Sequence, residues 1–345
     1  MIEQNYKIIL VTGAGGYIGT VLIPFLLKEG YKVRAIDRFF FGEDLLKTEE
    51  NLEIIKEDCR FLEPRHFEDV EAVIDLAAIS NDPSGEFFTK ATTEINYKTR
   101  FRNATLAKEV GVPRYVLPSS CSIYGNCSSD MVDETSEPNP ITVYAKANLM
   151  AEKAILPLKS RNFCVIILRQ ATVFGLSPRM RFDLAINGMT YGAWKNRKLP
   201  LMRDGKQWRP MIHIHDICLA IKFMISVASA SGINGEIFNV GSTKSNYQLA
   251  DLGKIVANAV GPDVILDWYG NTDKRSYRVS FDKIQSLGFF TTKDVTDGVA
   301  EILEKLEQGL LKKSIKTMTL EWYQELVKWN DIISKVKKRG GIIDL

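Results

Sequence analysis

Apolar residues recur along this chain in two rhythms. The runs "KIILVTG", "KVRAID", "LEIIK", "AVIDLAA", "RYVLPSS" and "CVIILR" are short, rich in β-branched residues and bounded by Gly, Pro or charge. Such runs predict buried strands. Between them, residues 17–28, 96–109 and 144–160 place apolar side chains at helical spacing. Strand–helix alternation of this kind predicts an α/β fold, a doubly wound parallel sheet covered on both faces. After Arg169 the pattern loosens, and loops such as "FGLSPRMRF" and "MRDGKQWRP" interrupt shorter elements. Residues 1–176 therefore read as a nucleotide domain that residues 216–240 rejoin. Residues 177–215 and 241–345 read as a smaller C-terminal, substrate-binding lobe.

Composition narrows the class without changing that picture. The 345 residues are 45% hydrophobic and 25% charged, an ordinary globular balance with enough chain for a sizeable core. A formal net charge of +3 is too small to argue for nucleic acid. The lysines after Gly309, including "KVKKRGG", read as a solvated helix face and end. The five cysteines, Cys59, Cys121, Cys127, Cys164 and Cys218, contain no CxxC and suggest neither a disulfide framework nor a zinc ribbon. The chain enters a strand almost at once, leaving no room for a signal peptide, and no apolar run is long enough to span a bilayer. A reduced, cytoplasmic protein without a membrane partner is the expectation.

The first strand leads into "GAGGYIG", which places Gly13, Gly16 and Gly19 at a strand-to-helix turn. A sharp turn there lets backbone N–H groups approach a pyrophosphate, and the helix N-terminus favours its charge. The strand before and the helix after supply the context that a glycine triplet needs to carry meaning. Asp37 ends the next strand 18 residues beyond Gly19. A carboxylate at that place accepts hydrogen bonds from adenosine ribose hydroxyls and repels a 2′-phosphate, which selects NAD over NADP. Arg38 beside it softens the choice, because a guanidinium can hold that phosphate. Asp58, after "LEIIKE", is placed to meet the adenine edge.

Several motifs then follow in order: "TGAGGYIG", Asp58, "IDLAA" at residues 74–78, "SSCSIYG" at 119–125, Tyr144 on a helix, and "LRQATVFG" at 168–175. In this order they resemble the extended short-chain dehydrogenase/reductase family, specifically its nucleotide-sugar epimerases, reductases and dehydratases. The resemblance covers nearly the whole chain and implies a Rossmann domain carrying NAD. It adds Tyr17, Ile18, Leu76, Ala77 and Ala78 to the implied cofactor site. It implies that Ser120 hydrogen-bonds the 4-hydroxyl or 4-keto oxygen of a sugar and that Tyr144 takes the 4-hydroxyl proton. "GKQWRPMIHIHD" looks like the family's substrate-lobe signature, with Arg209 on the nucleotide diphosphate; Arg275 is a second phosphate ligand on the same reading. Guanidinium groups suit that task through bidentate, charge-assisted bonds. Ser122 joins Ser120 in the implied substrate site. A homodimer is implied as well, since helices 96–109 and 144–160 pair across the dimer axis in related enzymes and carry apolar positions on more than one face.

Two departures from the family pattern matter. Dehydratases of the family use a pair of acids where this chain has Cys121 and Ser122, so the two-carboxylate 4,6-dehydratase machinery is absent. The related 3,5-epimerising enzymes use a cysteine at the position of Ser122, and Cys121, one residue off, reads as buried and inert. His213 and His215 share a strand face without a third ligand, a poor zinc site, so no metal is expected.

The second departure lies in "YAKAN". Residues four apart on a helix share a face, about 40° apart, so the family's lysine position falls on Asn148; Lys146, two residues on, points away. The family lysine binds the nicotinamide ribose and lowers the tyrosine pKa. An amide can do the first but not the second. Bringing a tyrosine from about 10 to about 7 needs roughly 4 kcal/mol of preferential phenolate stabilisation. Either the enzyme works slowly and at high pH, or another cation replaces the lysine, or Tyr144 only donates a proton to a ketone.

The leading expectation is an NAD-dependent nucleotide-diphosphate-sugar epimerase acting through C4 oxidation and a 4-keto intermediate. Tyr144, Ser120 and Asn148 form its catalytic set. A nucleotide-sugar 4-ketoreductase or dehydrogenase is the alternative within the class. A non-catalytic NAD-binding sensor or scaffold is the alternative outside it, favoured by the missing lysine and opposed by Ser120, Tyr144 and Arg209.

Overall fold

The computed structural model describes residues 8–126, 130–226, 232–271 and 276–336. Each of the six apolar runs forms a strand: β1 (Ile8–Thr12), β2 (Lys32–Asp37), β3 (Leu52–Lys56), β4 (Val70–Asp75), β5 (Arg114–Ser120) and β6 (Cys164–Gln170). After β6 come β7 (Thr172–Phe174), β8 (Lys198–Met202), β9 (Trp208–His213), β10 (Glu236–Val240), β11 (Asn246–Gln248) and β12 (Ile265–Tyr269). The large sheet is seven-stranded and parallel, in the order β10-β6-β5-β4-β1-β2-β3. The order reverses between β1 and β4, so the carboxyl ends of these strands open a crevice there. Every residue of β6 is buried, as a central strand covered on both faces requires.

The helices of the first half of the chain are α1 (Gly19–Lys28), α2 (Asp82–Phe87), α3 (Thr89–Thr93), α4 (Arg100–Val110) and α5 (Val143–Ile155). Later come α6 (Ala185–Asn196), α7 (Ile214–Ser226), α8 (Leu249–Val260), α9 (Asp282–Ser286), α10 (Val295–Glu307) and α11 (Thr319–Val336). One face of the sheet packs on α1 and α7 through Leu22, Ile23, Ile217 and Ile221; the other packs on α4 and α5 through Ala104, Ala107, Ala151 and Ile155. The stretch expected as one helix over 96–109 opens with a π-helical segment, Glu94–Thr99, before α4. The stretch expected over 144–160 starts one residue earlier and ends in a short 3₁₀ turn, Leu156–Leu158.

A second core gathers α6, α8 and α10 around Leu199, Leu201, Val256 and Val299. Strands β8 and β12 pair with each other, and β9 lies between β11 and β7. The chain then returns: α11 crosses to the mouth of the cleft, where the Trp322 indole N–H donates to the Phe40 carbonyl at 2.7 Å. Its first half packs there, while its last residues are exposed. The described lysines after Gly309 are exposed, as expected of a solvated face, and residues 337–341 of "KVKKRGG" lie outside the described residues. Amphipathic spacing leaves the choice of partner surface open, and here the partner is the cofactor side of the large domain.

Candidate active site

A single continuous cleft of about 1740 Å³ lies between the carboxyl ends of the large sheet and the second core. It exceeds the 300–1,000 Å³ typical of a pocket for one small ligand. Gly13, Gly16, Tyr17, Ile18, Gly19, Asp37, Asp58, Leu76, Ala77, Ala78, Ser120, Ser122, Tyr144 and Arg209 all line it. Asn148 does not, and Arg275 lies outside the described residues.

The glycine-rich end has the shape its residues require. Gly13 turns with φ +67°, and a Cβ there would come within 2.7 Å of the Leu76 carbonyl carbon. A Cβ at Gly19 would sit 2.5 Å from the carbonyl oxygens of Gly13 and Ala14. The first turn of α1 has no acidic residue and no side-chain cap, so no carboxylate competes there with an anion for the positive end of the helix. Asp37 accepts from the backbone N–H of Gly15 at 3.1 Å and of Phe39 at 2.6 Å, while burial pushes its carboxyl up. Burial acts to raise Asp58 as well, but Arg60 and Arg38 outweigh it and hold the carboxyl low. Arg38 is engaged twice, by Asp58 at 3.1 Å and by stacking 4.4 Å from the Phe40 ring. These features fit a dinucleotide whose ribose meets a carboxylate.

The redox end is built on β5 and α5. Thr142 caps α5 by accepting from the Ala145 N–H, and its own hydroxyl donates to Asp82 at 2.6 Å. Gly85 on α2 leaves room for Tyr144, whose Cβ would lie 3.0 Å from an added one. Tyr144 and Ser120 line the cleft together, and the Ser120 hydroxyl favours the Tyr144 phenolate. Burial pushes the Tyr144 phenol up, and Asp82 adds to this; Arg100, Ser120 and Arg181 oppose it. Ser120 Oγ also accepts from the Ser122 N–H at 3.1 Å, and Ser122 Oγ is buried without a protein partner.

Behind this wall a buried ion pair ties α5 to β6. Arg169 binds Glu152 at 2.8 Å and Tyr124 at 3.0 Å, and Ser119 donates to Glu152 at 2.5 Å. Asn148 is 1% exposed and is not part of the cleft wall. Its amide oxygen accepts from Arg100 at 2.8 Å, and its amide nitrogen donates to the Tyr144 carbonyl at 3.0 Å. Asn148, expected from the sequence as a cofactor ligand, has its amide engaged by Arg100 and the Tyr144 carbonyl here. Lys146 is exposed, as the helix geometry requires.

The remaining candidates fall into place around these. Cys121 donates to the Arg169 carbonyl at 3.2 Å, and burial pushes its thiol far up, so it is inert to acid–base work. His213 meets Glu301 at 3.1 Å and accepts from the His215 N–H, while Asp216 binds Thr292 and Lys293. Both residues of that signature therefore brace the second core. No group of three or more His, Cys, Asp or Glu suited to a metal occurs among the described residues.

Sequence reasoning missed, among other residues of the cleft, Arg179, Arg181, Asp183 and Tyr323. Arg181 is held by Asp183 at 2.7 Å and donates to Ser80 at 3.1 Å, and Asn81 donates to Asp183 at 2.7 Å. Arg179 lies 3.6 Å from the Phe41 ring centre and donates to Thr319 on α11 at 3.0 Å, with Nε and Nη1 buried and unpartnered. Burial first, then Arg181, pushes Arg179 down to about 9. Tyr323 of α11 packs edge-on to Phe40 and Phe88 above the same end. Alternation in "RMRFD" was a signal for Arg179, Arg181 and Asp183 sharing one side of an extended segment. Nothing local to α11 announces Tyr323.

A protein-family model described as the NAD dependent epimerase/dehydratase family matches residues 9–241. The UDP-glucuronate 4-epimerase of Thermodesulfobacterium geofontis is 25% identical over 344 residues, 95% of this chain and 98% of its own. The solved structure of MoeE5 with UDP-glucuronic acid and NAD is similar at TM-score 0.77 and 25% identity, covering 88% of this chain and 99% of its own. The fold is also that of the Bacillus cereus UDP-glucuronic acid 4-epimerase, at TM-score 0.79 and 23% identity over 88% and 99% of the two chains.

Proposed function

Because the chain belongs to the NAD dependent epimerase/dehydratase family, we propose that it is an NAD-dependent nucleotide-diphosphate-sugar 4-epimerase, with UDP-sugars as the substrate class. The observation that carries this reading is that Ser120 and Tyr144 line one cleft together with the glycine-rich dinucleotide cradle and Arg209.

The glycine turn and Asp37 would hold NAD, which would supply hydride transfer at C4. The chain supplies the rest. The α1 N-terminus and Asp37 hold the dinucleotide, Ser120 orients the 4-oxygen, and Tyr144 takes the 4-hydroxyl proton and gives it back. Arg209, stacked 5.3 Å from the Tyr277 ring, is a diphosphate ligand from the other wall. Arg275 joins it on the same reading. Inversion at C4 requires the keto sugar to present its opposite face, which a wide cleft permits while the diphosphate stays anchored.

The protein works as a homodimer through α4 and α5, whose Phe101 and Met150 are exposed at 40% and 43%. It works in the cytoplasm, where its described cysteines, all free, stay reduced. No helix among the described residues is long and apolar enough to cross a membrane. The test is a UDP-sugar panel read by NMR, beginning with UDP-glucuronate and UDP-glucose. Interconversion of C4 epimers by wild type and its loss in Tyr144→Phe are expected. Tight NAD binding with no turnover on any sugar would favour the sensor reading. A net consumption of NADH with a 4-keto sugar would favour the reductase.

A further inference from the structure

A cation from a different element engages Asn148, the residue at the family lysine's position. Arg100 opens α4 and is 3% exposed. Its Nη1 donates to Asn148 Oδ1 at 2.8 Å, its Nε to the Ala77 carbonyl at 3.2 Å and its Nη2 to the Asp75 carbonyl at 3.4 Å. All three acceptors are neutral oxygens. The Asp75 carboxylate itself is occupied by the hydroxyls of Thr12 and Tyr115, each at 2.5 Å. Asn148 in turn bonds to the Tyr144 backbone, so the three residues form a chain from α4 to the phenol's own helix turn. A buried guanidinium held by neutral acceptors is costly for a merely structural purpose.

We propose that Arg100, clipped in place by Asn148, is the cation that stands in for the helix-borne lysine, a positioning residue that stabilises the Tyr144 phenolate through space. The exchange has a geometric logic. The asparagine amide carries no charge but offers an oxygen that orients the longer arginine, and Arg100 also bonds the carbonyl of Ala77, which lines the cleft. The charged groups acting on Tyr144 are Arg100 from α4, Asp82 from α2 and Arg181 from the loop after β7, with the neutral Ser120 hydroxyl from β5 beside them. Behind Arg100 stand Asp75, Tyr115 and Cys59. Only Arg100 approaches through the residue four positions after Tyr144.

The inference rests on Tyr144 as the proton-handling group of the proposed reaction, and its test needs no sugar. Protein labelled with [ζ-¹³C]tyrosine is saturated with NAD and titrated by NMR from about pH 7 to about pH 12.5, well above a tyrosine's ordinary value because burial raises Tyr144. The Tyr144 signal is identified by its absence in Tyr144→Phe. Arg100→Met should move the titration up by about one pH unit, the lower end of what an adjacent opposite charge does. The phenolate fraction at a fixed pH then falls about tenfold. Arg100→Lys should return most of the shift, and Arg100→Met/Asn148→Lys should bring it back to wild type or below. Arg100→Gln, which keeps hydrogen bonds without charge, replaces the Met variant if that fails to fold. An unchanged Tyr144 titration in folded, NAD-binding Arg100→Met or Arg100→Gln overturns the inference. A shifted titration with no turnover across the sugar panel leaves it standing and removes the epimerase reading instead.

Discussion

Replacing Arg169 by Met should unfasten the catalytic wall. In the intact protein the side chains of Arg169 and Glu152 are 4% and 1% exposed and share bonds of 2.8, 3.2 and 3.3 Å. Met fills most of the volume but leaves the Glu152 carboxylate in the interior with the Ser119 hydroxyl as its remaining described partner. Breaking a buried pair from one side costs about 3–5 kcal/mol, chiefly because the other charge is stranded. With a urea slope of roughly 3 kcal/mol/M for a chain of this size, the unfolding midpoint should fall by about 1 M or more. Removing the stranded charge as well, in Glu152→Gln/Arg169→Met, should recover most of the loss. The kinetic consequence follows from position. Ser119 precedes Ser120, and Glu152 lies two helical turns beyond Tyr144, so kcat should fall by about tenfold or more, because small misplacements of reacting groups carry large rate effects. KM should change little, since Arg209 and the glycine cradle are untouched. Urea melts followed by circular dichroism, with the double variant as control, measure the first part. A midpoint shift below about 0.3 M, or a double variant no more stable than Arg169→Met, would refute the stranded-charge account.

Asp37 in the cradle and Arg38 already engaged by Asp58 and Phe40 predict that NAD binds at least about tenfold tighter than NADP; calorimetry giving equal affinities would shift the emphasis to Arg38. Arg209→Ala should weaken UDP-sugar binding about tenfold or more, the worth of charge-assisted bonds to a diphosphate, and leave NAD affinity unchanged; equal loss of both would mean that the cleft wall collapsed. Because burial holds Tyr144 above its ordinary value, the phenolate fraction and the rate of 4-hydroxyl oxidation should climb with pH past neutrality, and a flat profile between about pH 7 and 10 would contradict the general-base role. Ending the chain before Thr319 removes the oxygen that holds Arg179 and the ring of Tyr323, so NAD should dissociate several-fold faster in stopped-flow displacement; an unchanged rate would show that α11 does not cover the cofactor end.

Local patterns in the chain were enough for the six central strands, the glycine turn, Asp37 at a strand end and the helix carrying Tyr144, because each depends on neighbours within a few residues. Hydrophobic period decides strand from helix, and strand–helix alternation decides a parallel sheet. The helical period also sent Lys146 to solvent and Asn148 to the inner face. It did not reveal what Asn148 would meet there, since Arg100 lies 48 residues earlier and a charge on a helix ordinarily reads as solvated. Arg179 finds its partner Thr319 across 140 residues, which no local rule reaches. His213 and Asp216 stood in a recognisable pattern, yet packing of α10 and residues 292–293 gives them bracing work. Spacing along the chain determines which face of an element a side chain occupies. The partner on that face, and with it burial, charge balance and proton affinity, is decided only when distant elements pack together.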